Sequence, residues 1–178
     1  SVDMWELKRT PLYETHLKYK GKIIDFAGWE LPVQYEGLIQ EHEAVRNAAG
    51  IFDVSHMGEI EIKGKDAFNY VQYLVTNDVS KLKTNGVMYT FMCYEDGGIV
   101  DDILVYRFEE DYFYLVVNAS NVDKDYDWIV KNKEKFDVVV DNVSKDVAQV
   151  ALQGPKAQDI LQKLVDFEAF ADLAKSPN

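Results

Sequence analysis

Two aspartates stand side by side inside a stretch that otherwise reads as buried strand, and few folds accommodate that. The stretch is Tyr94-Glu95-Asp96-Gly97-Gly98-Ile99-Val100-Asp101-Asp102-Ile103-Leu104-Val105-Tyr106. Asp96-Gly97 followed by Gly98 signals a tight turn, because glycine accepts the positive φ that such turns demand. Apolar runs from Val87 to Tyr94 and from Ile99 to Phe108 flank the turn, so it should join two antiparallel strands. Closing the loop around Asp96-Gly97 sets Asp102 opposite Phe91 and Leu104 opposite Tyr89; a three-residue loop would shift that register. Alternation then puts Asp102, Leu104 and Tyr106 on one face with Tyr89 and Phe91. A carboxylate beside two phenols on a largely apolar surface is a candidate substrate-binding patch. Burial there would raise its pKa toward the range where it exchanges protons. Asp101 faces the other way, with Ile103, Val105 and Arg107, and pairing with that arginine is its simplest fate. The alternative for both aspartates is hydrogen bonding to neighbouring loops.

The rest of the chain gives this hairpin a setting. At 178 residues, 47% of them hydrophobic, it can bury one sizeable core or two small ones. No apolar run approaches the ~20 residues of a membrane span, and no signal peptide is legible. Cys93 is the single cysteine, which excludes an internal disulfide and offers no metal cluster; inside a strand it reads as a small buried hydrophobe. The net charge of −12 argues against nucleic acid or an anionic membrane as partner, since both reward a basic face. The setting reads as cytosolic or organellar.

Before the hairpin, Ile23–Ala27 predicts a short strand, which Gly28 and Pro32 should keep from continuing. A helix is expected from Gly37 to Ala49, with Leu38, His42, Val45 and Ala49 as its apolar stripe and Gly50 as its C-cap. On that stripe His42 is expected to be a hydrogen-bonded core histidine. Asp53, Ser55 and His56 invite a triad reading, but residues so close in sequence seldom form one, and a turn tied by their side chains is the expectation. Glu59–Lys63 alternates as a strand; Gly64-Lys65-Asp66 opens a helix capped by Asp66. After the hairpin come a strand from Tyr112 to Asn118, a helix capped by Ser120 with Asp123 at its third position, strands Val138–Val143 and Val147–Gln153, and a helix opened by Gly154-Pro155. Asn118, at a strand end before a helix, suits either a ligand-facing group or a turn. Antiparallel strands alternating with helices predict an α+β fold.

Six segments together resemble one family: Lys8-Arg9-Thr10-Pro11-Leu12, Asp25-Phe26-Ala27-Gly28-Trp29-Glu30-Leu31-Pro32, Gly50-Ile51-Phe52-Asp53-Val54-Ser55-His56-Met57-Gly58, Thr76-Asn77-Asp78, Gly97-Gly98-Ile99-Val100-Asp101-Asp102 and Ala151-Leu152-Gln153-Gly154-Pro155. In this order, across residues 8–164, they resemble the N-terminal half of the aminomethyltransferases, the T-proteins of the glycine cleavage system. The resemblance implies half of a duplicated α+β folate-binding unit, with the C-terminal β-barrel absent. It also implies transfer of the aminomethyl carbon from the lipoyl arm of H-protein to tetrahydrofolate, with release of ammonia and without a metal. It assigns Asp102 as the catalytic aspartate and Met57, Tyr89, Tyr106 and Asn118 to the folate pocket.

Family members run to roughly twice this length. The expected division is therefore a remnant and leader over residues 1–7, a segment over 8–50 that normally packs with the second folate-unit half, a folate-binding subdomain over 51–170 and a cut tail over 171–178. By that reading the chain is an inactive truncation that can dimerise through exposed apolar surface. A cytoplasmic location follows, or the mitochondrial matrix in a eukaryote. Two rival readings share the scaffold: a folate-dependent demethylase or folate domain of a sarcosine or dimethylglycine oxidase, and a non-catalytic folate-binding protein of iron–sulfur assembly. The start near Met4 and the intact Asp101-Asp102 motif favour the aminomethyltransferase.

Overall fold

In the computed structural model, which describes residues 6–165, the central hairpin closes in the expected register: Phe91 faces Asp102 and Tyr89 faces Leu104. The register slips only next to the turn, where Cys93 pairs with Ile99 after Met92 has paired with Asp101. Gly97 takes φ +88°, and the Asp96 carboxylate accepts the Gly98 N–H at 2.9 Å, so the turn is fixed by the two residue types that announced it.

In chain order the elements are β1 Lys8–Arg9, α1 Tyr13–Lys18, β2 Lys22–Phe26, β3 Trp29–Gln34, α2 Leu38–Asn47, β4 Gly50–Asp53, β5 Gly58–Lys63, α3 Ala67–Leu74, β6 Gly86–Cys93, β7 Ile99–Glu109, β8 Tyr112–Val117, α4 Val122–Lys131, β9 Val139–Asn142, β10 Val150–Gln153 and α5 Ala157–Gln162. The class is α+β. The chain divides into two units, one running to His56 and resuming at Ala148, the other spanning Met57–Val147.

The Met57–Val147 unit is a five-stranded antiparallel sheet in the order β6-β7-β8-β5-β9. Alternation turns Ile60 and Ile62 of β5, Ile103 and Val105 of β7, and Phe113, Leu115 and Val117 of β8 to one face. There they pack with Ala67, Tyr70, Val71 and Leu74 of α3 and Ile129 of α4. This face is dry, and the Tyr70 hydroxyl finds its partner by donating to the Ile129 carbonyl. At the start of β5, Gly58 lets α4 come close: a Cβ there would lie 2.6 Å from a Val122 methyl.

The other unit holds a three-stranded sheet, β1-β3-β2, and an antiparallel ribbon of β4 with β10. Gly28 and Pro32 do not break the chain as expected. Ala27 (φ +51°) and Gly28 (φ +88°) form a two-residue hairpin between β2 and β3, the geometry that matches strand twist. Pro32 is tolerated within β3 because β1 pairs only with Trp29 and Glu30, leaving no ladder bond for its missing N–H. The stripe on α2 is not buried: no residue of this helix is in the core, His42 is exposed, Leu38 and Ile39 are exposed with it, and of the stripe within the helix only Val45, against Gly50, is half-covered. Gly50 opens β4 instead of capping α2, whose C-cap is Ala48. Several boundaries also move. Asn121, not Ser120, occupies the N-cap of α4, and Asp66 spends its carboxylate on the Asp137 N–H (2.7 Å) rather than on its own helix.

Candidate functional site

The face of the five-stranded sheet opposite α3 and α4 carries the candidate residues. Reading across paired positions, one row runs Tyr89–Leu104–Val116–Glu59 and another Tyr106–Tyr114–Glu61. A third holds Phe91 and Asp102. It continues to Asn118, whose side-chain amide donates to the Asp102 carboxylate and to the Asp102 carbonyl, each at 3.0 Å. Met57 directly precedes Gly58, which pairs with Val117, and lies in the bend that leads into β5. Four of the five residues singled out from sequence, Tyr89, Asp102, Tyr106 and Asn118, are thus brought together on one face, while Met57 stands just ahead of β5.

Asp102 itself is exposed, not buried as its strand position suggested. Its environment is polar: the Tyr89 hydroxyl donates to Oδ2 at 2.8 Å and Asn118 to Oδ1. The bond to Asp102 holds the Tyr89 phenol above its usual range, since the donated proton stabilises the neutral form. Tyr89 is 53% exposed and Tyr106 half-buried. Two cavities in this unit lie elsewhere: one of about 580 Å³ beside Lys65, Phe68 and Arg107, and one of about 180 Å³ beside Tyr73, Cys93, Tyr94 and Trp128. Neither is lined by Asp102. Cys93 is half-buried at the rim of the smaller one, not the core residue its strand position suggested.

Asp101 does not pair with Arg107. The guanidinium turns instead to the Leu82 and Glu110 carbonyls, at 3.0 and 3.1 Å. Asp101 is buried and accepts the Asn118 N–H (3.1 Å), the Asn118 amide (2.8 Å) and the Asn121 amide (2.9 Å). Burial alone would push its pKa up, but the neighbouring Asp125 and the bonds from Asn118 and Asn121 outweigh that and hold it below the usual carboxylate range. Asp125, wholly buried on α4, goes the other way: burial and then the neighbouring Asp101 push it up to about 8.

Sequence reasoning missed Asp125, Asn121 and Glu59. Glu59 is fully buried, neither of its carboxylate oxygens has a hydrogen-bond partner, and burial raises its pKa to about 7. Its place in an alternating Glu-Ile-Glu-Ile-Lys strand signals a wet face, and no local pattern contradicts that. Asn121 and Asp125 sit on the two turns of chain after β8 and carry no signal beyond polarity.

In the other unit, Asp53, Ser55 and His56 form no triad. Asp53 binds the Thr10 hydroxyl (2.5 Å), His16 Nε2 (2.7 Å) and the Ser55 N–H (3.0 Å). Ser55 Oγ exchanges bonds with the Gln149 backbone, and His56 rests edge-on against Phe26 and Trp29. The arrangement is a clasp closing a turn, with the nucleophile and base pointed at different partners. No group of residues suited to hold a metal ion occurs among the described residues.

The family model of the GCVT N-terminal domain matches residues 12–175. The chain belongs to the GCVT N-terminal domain family. Among relatives of this family, the aminomethyltransferase of Alkaliphilus oremlandii is 64% identical over 174 residues, covering 98% of this chain and 46% of its own. That of Thermoanaerobacter sp. is 63% identical over 163 residues, covering 92% and 44%. The crystal structure of glycine cleavage system aminomethyltransferase T from Bartonella henselae matches with a TM-score of 0.83 at 37% identity, over 88% of this chain and 43% of that one. The chain therefore spans less than half the length of the GCVT-family relatives it matches. No described helix is long and apolar enough to cross a membrane.

Proposed function

We propose that this chain supplies the Asp102-bearing half of a tetrahydrofolate-dependent aminomethyltransferase, which takes its one-carbon unit from the lipoyl arm of H-protein. The observation that carries the reading is the alignment on one face of an exposed carboxylate, a phenol and an amide bonded to it, and the ring of Tyr106, of the kind that packs on flat heteroaromatic rings; Met57, in the bend ahead of β5, is assigned to the same pocket by this reading. In this reading Asp102 meets the folate amine that attacks the aminomethyl carbon, orients it and accepts its proton. The two folate amines each form one carbon–nitrogen bond and each give up a proton; the carbon–sulfur bond to the lipoyl arm returns its electron pair to sulfur, which takes one proton as the thiol, and the amino nitrogen leaves with the other as ammonia. Tyr89 and Asn118 fix the direction of the carboxylate, so that its basic lone pair faces the ligand. The apolar neighbours Leu104 and Val116 keep water from the reacting carbon.

The test is Asp102→Asn in a full-length family chain carrying this sequence as its N-terminal half. Ammonia release from aminomethyl-loaded H-protein should fall about a hundredfold or more, while calorimetric tetrahydrofolate affinity stays within about threefold, because the amide keeps the size and the Tyr89 contact. Turnover at the wild-type rate would remove Asp102 from the mechanism. Loss of folate binding in step with turnover would make it a binding residue only.

A further inference from the structure

Asp101 and Asp102 are successive on β7 and leave the sheet from opposite faces, yet one amide touches both. Asn118 Nδ2 lies 2.8 Å from Asp101 Oδ1 and 3.0 Å from Asp102 Oδ1, and the Asn118 backbone N–H adds a bond to Asp101 Oδ2 at 3.1 Å. The Asn121 amide brings a further donor to Asp101 Oδ1 at 2.9 Å, and the Asn121 N–H closes the turn on the Asn118 carbonyl at 3.0 Å. One short turn after β8 thus delivers three N–H donors to a carboxylate that is only 4% exposed. An ionised carboxylate accepts and never donates, and three charge-assisted bonds in a buried setting leave Asp101 little freedom to rotate. The Asn118 amide is directed by the same chemistry. Every oxygen within reach of its Nδ2, on the Asp101 carboxylate, the Asp102 carboxylate and the Asp102 carbonyl, is an acceptor, so the amide turns its nitrogen here and its oxygen away. Of the two carboxylates only Asp101 is buried; Asp102 is exposed and has no comparable hold on the amide.

We propose that Asp101 is a positioning residue for Asp102: it holds the Asn118 amide with its nitrogen toward Asp102, and that amide holds the Asp102 carboxylate in the direction it presents to substrate. The proposal rests on Asp102 being the catalytic carboxylate. It assigns work to a side chain on the dry face of the sheet, away from any ligand on the open one. Asp101→Asn removes the hold with almost no change of shape. The new amide has one acceptor oxygen where three N–H groups converge, and its own NH2 sets a donor against donors. Asn118 is then released, and a misdirected Asp102 lowers turnover while the rings that hold folate stay in place.

The experiment uses the full-length family chain carrying this sequence as its N-terminal half, labelled with ¹⁵N at asparagine. In the wild type the Asn118 side-chain amide should be rigid on the ps–ns timescale, with an order parameter of about 0.85. It should stay rigid in Asp102→Asn, which leaves the anchor in place, and drop below about 0.6 in Asp101→Asn. At saturating tetrahydrofolate and aminomethyl-loaded H-protein, Asp101→Asn should lower kcat about ten- to a hundredfold, with the KM for tetrahydrofolate within about threefold of wild type. Asn118→Ala should lower kcat by a similar factor. Adding Asp101→Asn to it should then change kcat by less than about twofold, because the route from Asp101 to Asp102 is already cut. A side chain that merely supported the fold would multiply its loss with that of Asn118→Ala. An Asn118 amide that is mobile in the wild type, a measurement that needs no variant to fold, overturns the proposal. So does an amide that stays rigid in Asp101→Asn, an Asp101→Asn enzyme with wild-type kcat, or a double variant whose losses multiply. Asp102→Asn turnover measured alongside separates the two failures. Any of these results with an inactive Asp102→Asn removes the positioning role alone; wild-type turnover of Asp102→Asn removes the catalytic reading beneath it.

Discussion

Replacing Glu59 with glutamine isolates the cost of a charge that nothing in the fold answers. The side chain is 0% exposed and neither oxygen is hydrogen-bonded, and burial raises its pKa from 4.5 to about 7. Unfolded, the carboxyl has shed its proton above pH 4.5; folded, it keeps it to about pH 7. Across that window the native state binds one proton more than the unfolded chain, so stability falls as pH rises. The slope from this group is about 1.4 kcal/mol per pH unit, and between pH 4.5 and about 7 it accumulates to about 3 kcal/mol. That figure is a ceiling, because local rearrangement around the charge relieves part of it.

Glutamine has nearly the same shape and no titration, so it shifts the whole stability curve by a constant and removes the slope. The assay is urea unfolding of wild type and Glu59→Gln from pH 4.5 to 8.5, followed by circular dichroism. The difference between the two should change by about 2–3 kcal/mol in favour of the variant between the ends of the range. Asp125 titrates in the same sense up to about pH 8. Wild type minus Glu59→Gln cancels it, and the alkaline slope left in the variant belongs to Asp125. Parallel curves across the range would refute the reasoning: Glu59 would then be ionised in the fold with a partner, or protonated equally in both states.

Two further outcomes test the other unit. Gly154 sits at φ +126°, where a Cβ would meet the Ala48 carbonyl oxygen at 2.5 Å and Ala49 Cα at 2.7 Å. Gly154→Ala should therefore cost about 2–4 kcal/mol in urea unfolding, and a loss under about 1 kcal/mol would show that this backbone can step aside. Asp53 is pushed up by burial, but its bonds to Ser55, Thr10 and His16 prevail and hold its pKa below 3.8. It contributes stability above pH 4 that is lost as pH falls through its folded value. Asp53→Asn should cost about 2 kcal/mol at pH 7 and flatten the acid limb, and an unchanged acid limb would count against the clasp.

What the chain announces and what it conceals divide along physical lines. The β6–β7 register is legible because Asp96-Gly97 chooses the turn and alternation does the rest. Tyr89, Phe91, Asp102 and Tyr106 are placed by that logic, which works at short range. The partners of Asp101 are not legible, because Asn118 and Asn121 reach it from beyond β7 and only tertiary packing brings the start of α4 to it. Arg107 was the local candidate, and two backbone carbonyls took it. Glu59 shows the converse limit: alternation says which face a residue shares, and not whether that face stays wet. The stripe on α2 is periodic but unburied, and the short α1, which buries only His16, has too few turns for periodicity to register.

The two aspartates make sense as a pair once their faces are separated. An exposed carboxylate on a strand rotates about two side-chain bonds, and holding it in one direction costs entropy that substrate binding would otherwise have to overcome. Bonds from the same open face supply part of the restraint, but Tyr89 is itself half in solvent. A restraint that begins on the dry face does not share this weakness. Asp101, buried and donor-rich, is fixed by Asn118 and Asn121. Asn118, fixed by Asp101, then reaches through the end of β8 to Asp102. Adjacent positions on a strand are the one spacing that puts two like groups on opposite faces while leaving them within reach of a single amide. A serine or glycine in place of Asp101 would leave Asn118 free and Asp102 with only its exposed phenol. Under the proposed function, the doubled aspartate is one working group and its anchor, with the sheet between them supplying the rigidity.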